Sequence, residues 1–161
     1  PANAARAIDD SARDAYTVVR AKSYYTGVAT VTDGTLLVNG SIASEITVTG
    51  GILGGSGTVA GRVSLWTGTI APGNSPGILT APWIDPSNGM FLNFEITGIK
   101  PEYSQASNSV NDVLHLTSAS SINAAMTSAN QINVYFNISD FDMTEAYLGG
   151  IYCNITATPW T

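Results

Sequence analysis

His115 is the only histidine of the 161-residue chain, and it follows a carboxylate by three positions in Asp112-Val113-Leu114-His115-Leu116. An imidazole within reach of a carboxylate is the pairing a general base uses. No Ser or Cys stands beside the pair to be activated, so a partly buried strand histidine satisfied by backbone is the plainer reading. Asp140, Asp142 and Glu145 form a dense acidic cluster, with Asn137 just upstream. Oxygen ligands at such short spacing suit Ca²⁺, but the Gly that kinks an EF-hand loop is absent. A solvated acidic turn is the default there, and neither a metal nor any other cofactor is expected.

Asn39-Gly40-Ser41, Asn137-Ile138-Ser139 and Asn154-Ile155-Thr156 match the acceptor pattern for N-glycans, which makes Asn39, Asn137 and Asn154 candidate glycosylation sites. Trp66, Trp83, Trp160 and the Tyr24-Tyr25 pair offer rings on which a sugar can stack. Rings at element edges serve equally as packing or interface anchors. A single cysteine, Cys153, excludes an internal disulfide framework and a cysteine-rich metal site.

The elements that would position these groups announce themselves by repetition. Gly34-Thr35-Leu36, Gly51-Ile52-Leu53 and Gly68-Thr69-Ile70 open similar phrases on a 17-residue beat, and Gly40, Gly57 and Asn74 keep the same interval. Periods near this length mark a chain that coils and stacks on itself. Ile42 recurs as Val59 and Pro76, Ile46 as Val63 and Thr80, and Val48 as Leu65. Like side chains would then sit above one another at a strand spacing of roughly 4.8 Å. Asp33, Glu45 and Arg62, the charged residues of these coils, are read as occupying different columns, so stacking does not gather them into a catalytic group. The proline-rich stretch Ala71-Pro72-Gly73-Asn74-Ser75-Pro76-Gly77 lacks ladder donors and is expected to close the stack.

Both flanks read differently. Ala5, Ile8, Ala12, Ala15, Tyr16 and Val19 lie on an N-terminal segment with three-and-four apolar spacing, as on an amphipathic helix. That segment packs on its own subunit or docks on a neighbouring one, and Tyr16-Thr17-Val18-Val19 is β-prone enough to be strand. Past residue 86 the regular beat ends. Phe91 to Ile96, Val113 to Leu116, Ile132 to Ile138 and Ile151 to Thr158 then read as separate strands of an antiparallel sheet.

Charged residues make up only 11% of the chain, against roughly 25% in an ordinary soluble protein, and Gly, Ser, Thr and Asn take their place. Net charge is −6, with only Arg62 and Lys100 basic after residue 22, which argues against nucleic acid as a partner. No run approaches the roughly 18 apolar residues of a membrane span. The chain begins at Pro1 without a signal peptide, as a processed product or fragment would.

Tyr25-Thr26-Gly27, Gly34-Thr35-Leu36-Leu37-Val38-Asn39-Gly40-Ser41 and Gly54-Gly55-Ser56-Gly57-Thr58-Val59-Ala60-Gly61 resemble the autotransporter-associated β-strand repeat. The resemblance is most specific at Ile70-Ala71-Pro72-Gly73-Asn74-Ser75-Pro76-Gly77-Ile78-Leu79, which is similar to that family's closing signature. It covers residues 25–98 well and the remainder loosely. It implies an exported bacterial protein, extracellular or at the cell surface, carrying a right-handed parallel β-helix. Passengers of this family carry many coils and are followed by a translocator barrel, so this chain is expected to be a short, free-standing relative. The family is defined by architecture and implies no catalytic residues.

The expectation is an all-β chain with an arm over 1–22, helical or extended. A short parallel β-solenoid of about three coils follows over 23–86, then an antiparallel β cap or small sandwich over 87–161. A stack of coils has two open rims, and a rim-to-rim contact does not close but propagates. The expected function is a non-enzymatic structural subunit of a bacterial filament, a homo-oligomer or helical polymer. A monomeric adhesin or glycan-binding module is the alternative, with a polysaccharide-acting enzyme third.

Overall fold

The computed structural model describes residues 16–25, 27–74, 76–96, 111–118 and 131–138. Among them every regular element is a β-strand, and the strands wind as successive rungs of a parallel solenoid. The first rung is β1 (Tyr16–Val19), β2 (Lys22–Ser23) and β3 (Ala29–Val31). The second is β4 (Thr35–Val38), β5 (Ser41–Ile42) and β6 (Ile46–Val48), and the third β7 (Ile52–Gly55), β8 (Thr58–Val59) and β9 (Val63–Leu65). The fourth is β10 (Thr69–Pro72), β11 (Ile78–Ala81) and β12 (Ile84–Pro86). The stack continues with β13 (Met90–Ile96), β14 (Val113–Leu116) and β15 (Ile132–Ile138).

Like strands stack on like, making three sheets: β1-β4-β7-β10-β13-β15, β14-β11-β8-β5-β2 and β12-β9-β6-β3. The beat of the sequence is the rung length itself where Thr35 pairs with Ile52 and Ile52 with Thr69. Its leading glycines make the corner: Gly34 and Gly51 have φ of 70° and 67°, a left-handed conformation that costs glycine nothing. Aliphatic side chains alternate inward with period two. One column runs Leu36, Leu53, Ile70, Leu92 and Val134, and another Ala29, Ile46, Val63 and Ile84. Leu53, Ile46 and Ile84 are 0% exposed. Burying each such side chain contributes about 1.5–3 kcal/mol.

Three expectations need correction. First, the proline-rich stretch does not end the stack. Thr58 pairs with Thr80 and Val63 with Ile84, each a longer step along the chain than Ile52 to Thr69. The extra residues form an excursion at one corner, so Ala81 and Ile84, not Pro76 and Thr80, continue the inward columns. Second, the strands described within 87–161 are not antiparallel: β13 runs parallel to β10, β14 to β11 and β15 to β13. They add rungs to the solenoid, so it extends beyond residue 86. Antiparallel pairing among the described residues is confined to the isolated bridges Gly55–Gly73 and Ile96–Asn111. Third, the arm does not reach residue 22: of the two readings left open for Tyr16–Val19, helix or strand, the strand is found. It pairs with β4 from Tyr16–Thr35 to Val19–Val38, so the first rung begins inside the segment assigned to the arm. The β-branched run Thr17-Val18-Val19 outweighs the helical spacing there. Ala5, Ile8, Ala12 and Ala15 lie outside the described residues.

Candidate functional site

The most elaborated polar group in the solenoid is Asp112, at the start of β14. The corner excursion around Gly73 has backbone groups beyond the ladder, and a carboxylate can accept from two of them. Asp112 Oδ1 accepts the Gly77 N–H at 3.0 Å and Oδ2 accepts the Glu95 N–H at 2.7 Å. Its own N–H donates to the Glu95 carbonyl at 2.9 Å, and Val113 N–H donates to the Gly77 carbonyl at 2.9 Å. One side chain thus clasps the corner after β10 to the end of β13. Gly73, at φ 91°, lies against it; any Cβ there would collide with the Asp112 carboxylate. Burial pushes the Asp112 carboxyl above its ordinary 3.8; the two backbone N–H bonds pull back, and the Glu95 charge adds to the rise.

This arrangement separates Asp112 from His115. Both carboxylate oxygens are engaged by backbone, while Leu114 and Leu116 pack on the core, so His115 falls on the outer face by alternation. The two do not meet as a base and its orienting acid.

A second polar group corrects the reading of separate columns. Glu45 and Arg62 are one rung apart in one column, and Arg62 Nη2 meets Glu45 Oε2 at 3.4 Å. Arg62 Nη1 lies 3.8 Å from Asp85 Oδ2 on the next rung, so one guanidinium bridges carboxylates above and below it. Asp33 is elsewhere, accepting the Gly34 N–H at 2.8 Å. The Arg62 pairs are partly exposed, and their geometry is that of a rung-to-rung tie.

Asn39 makes a similar tie: its Oδ1 accepts the N–H of Ser56, one rung on, at 3.1 Å. Asn137 is exposed in β15, and Asn154 lies outside the described residues, as do Asp140, Asp142 and Glu145. Among the described residues no three His, Cys, Asp or Glu gather as a metal would require. No helix of the described residues is long and apolar enough to cross a membrane. Trp66 and Trp83 are exposed, but they flank opposite ends of the neighbouring strands β9 and β12 and form no joint surface. Tyr24 is exposed beside Lys22, whose Nζ is 5.1 Å from the ring centroid, while Tyr25 packs against the core. Trp160 lies outside the described residues.

The rings that do come together went unnoticed in the sequence. Phe91 and Tyr135 stack on the outer face of β13 and β15, centroids 6.1 Å apart and planes at 30°. Phe94 and Phe136 stack on the inner face at 6.0 Å. Alternation within Phe91-Leu92-Asn93-Phe94 and Asn133-Val134-Tyr135-Phe136 carries the signal, but only once the two strands are known to pair.

Among the described residues the polar groups tie rungs together, and the ring pairs line the outer and inner faces of the stack. No family of known proteins matches the chain, and neither does any curated protein or solved structure.

Proposed function

We propose that this chain is an extracellular structural protein of a bacterial surface, a solenoid unit that stacks end to end with further copies of itself. One observation carries the reading: in the longest sheet the inward columns run through to β15, its last described strand, without a polar finish. Val134 and Phe136 stand in the inward columns of Leu92 and Phe94, yet each is 40% exposed, whereas Leu53 in the same column as Val134 is 0% exposed. Among the described residues β15 is the outermost strand of this sheet, and an edge with interior chemistry suits another rung of the same kind. The low charge content and the resemblance to autotransporter-associated repeats support the extracellular setting.

The test is sedimentation velocity and negative-stain microscopy of the full chain beside Phe136→Asp. The expected result is elongation with concentration for the unaltered chain and a folded, non-elongating variant. A chain that stays monomeric at every concentration, or a variant that elongates equally, would refute the assembly. Removing residues 1–15, which leaves β1 intact, separately tests the arm: lost elongation in a folded product is expected.

A further inference from the structure

We infer that the outer face of β13 and β15 is a binding platform for a neutral saccharide chain. Inward-facing Met90, Leu92 and Ile132 leave Phe91, Asn93, Asn133, Tyr135 and Asn137 on the opposite side by alternation. The register Phe91–Asn133, Asn93–Tyr135 and Glu95–Asn137 sets them in a grid of two strands, rings on one diagonal and amides on the other. Phe91 is 38% exposed and Tyr135 56%, although both rings have a stacking partner. They stay accessible to solvent instead of filling a core.

The chemistry is selective. Pyranose rings carry apolar C–H faces that pack on aromatic planes and a rim of hydroxyls that both donate and accept. A primary amide supplies two donors and an acceptor, so the three asparagines match that rim without imposing a charge. Arg20, Lys22 and Arg62, the Lys and Arg residues among those described, lie in neither strand, while Glu95 does. An anionic polysaccharide would meet the Glu95 charge and no cation among the described residues, which favours a neutral ligand. Aromatic anchors also mark protein contacts, where Arg is enriched beside them; among the described residues this face sets amides beside its rings and no Arg. The platform faces sideways from the solenoid, whereas stacked copies would meet along the edge of β15.

The test titrates the full chain by calorimetry with cellohexaose, laminarihexaose, maltohexaose, mannohexaose and chitohexaose, and with an oligogalacturonate as the anionic probe. Binding of at least one neutral hexaose is expected. Tyr135→Ala should weaken it about tenfold, the loss of one ring contact, while Tyr135→Phe retains it. Asn93→Ala should also weaken it, and Trp66→Ala should leave it unchanged. Circular dichroism and thermal melts establish that Tyr135→Ala is folded. The inference is overturned if no neutral hexaose binds, if Tyr135→Ala binds as well as the unaltered chain, or if the galacturonate binds more tightly. It is equally overturned if Tyr135→Ala changes only the sedimentation of the chain, for the face would then be a contact between copies.

Discussion

Replacing Asp112 by alanine removes the two acceptors that hold the corner excursion to the end of β13. Hydrogen bonds to a charged acceptor are worth about 1.5–3 kcal/mol each in net stability. Two would give roughly twice that, but Asp112 is only half-buried, and water reaches some of what the carboxylate releases. A loss of about 2 kcal/mol at neutral pH is therefore expected. With a urea slope of about 2 kcal/mol per M, the midpoint should fall by about 1 M. The pH dependence provides a second readout. The carboxyl titrates above 3.8 in the fold because burial opposes its charge more strongly than the Glu95 and Gly77 N–H groups favour it. A raised acid pKa means that the stabilisation by Asp112 is complete below its unfolded pKa and diminishes as pH rises through the folded value. The penalty of Asp112→Ala should accordingly be larger at about pH 3.5 than at pH 7, with slope unchanged. Hydrogen exchange at Gly77 and Glu95 should accelerate together. A penalty below about 0.5 kcal/mol would refute the clasp, and one that shrinks on acidification would show that the N–H bonds outweigh burial at Asp112.

Leu53→Ala, at a 0% exposed position mid-column, should cost about 2–5 kcal/mol in urea unfolding through the cavity it leaves. Arg62→Ala, by contrast, severs two partly exposed ion pairs and should cost no more than about 1 kcal/mol, an effect that fades in high salt.

The repeat was legible wherever the rung length stayed constant. Gly34, Gly51 and Gly68 marked it, and Thr35–Ile52–Thr69 pair at that spacing. Legibility failed where the corners lengthen. Met90 pairs with Ile132 and Ile78 with Val113, unequal steps that both exceed two rung lengths, so no fixed period connects them. Alternation in Ile132–Ile138 shows a two-faced strand but carries no direction, because parallel and antiparallel neighbours both bury every second residue. The Arg62 tie was legible in principle, since Glu45 precedes Arg62 by the same interval as the leading glycines, though its link to Asp85 follows the lengthened corner. The Asp112 clasp was not: nothing in Asn111-Asp112-Val113 indicates that the backbone groups of Gly77 and Glu95 will converge there.

Hydrogen bonds between rungs point along the solenoid axis, so a pull in that direction loads the three ladders side by side. The tier between β7-β8-β9 and β10-β11-β12 is unevenly armed: four registered pairs join β7 to β10, three join β9 to β12, but only Thr58–Thr80 joins β8 to β11. Where a lengthened corner thins one ladder, strain concentrates. Under tension this tier would yield at that edge first and open like a hinge about the two better-paired ladders.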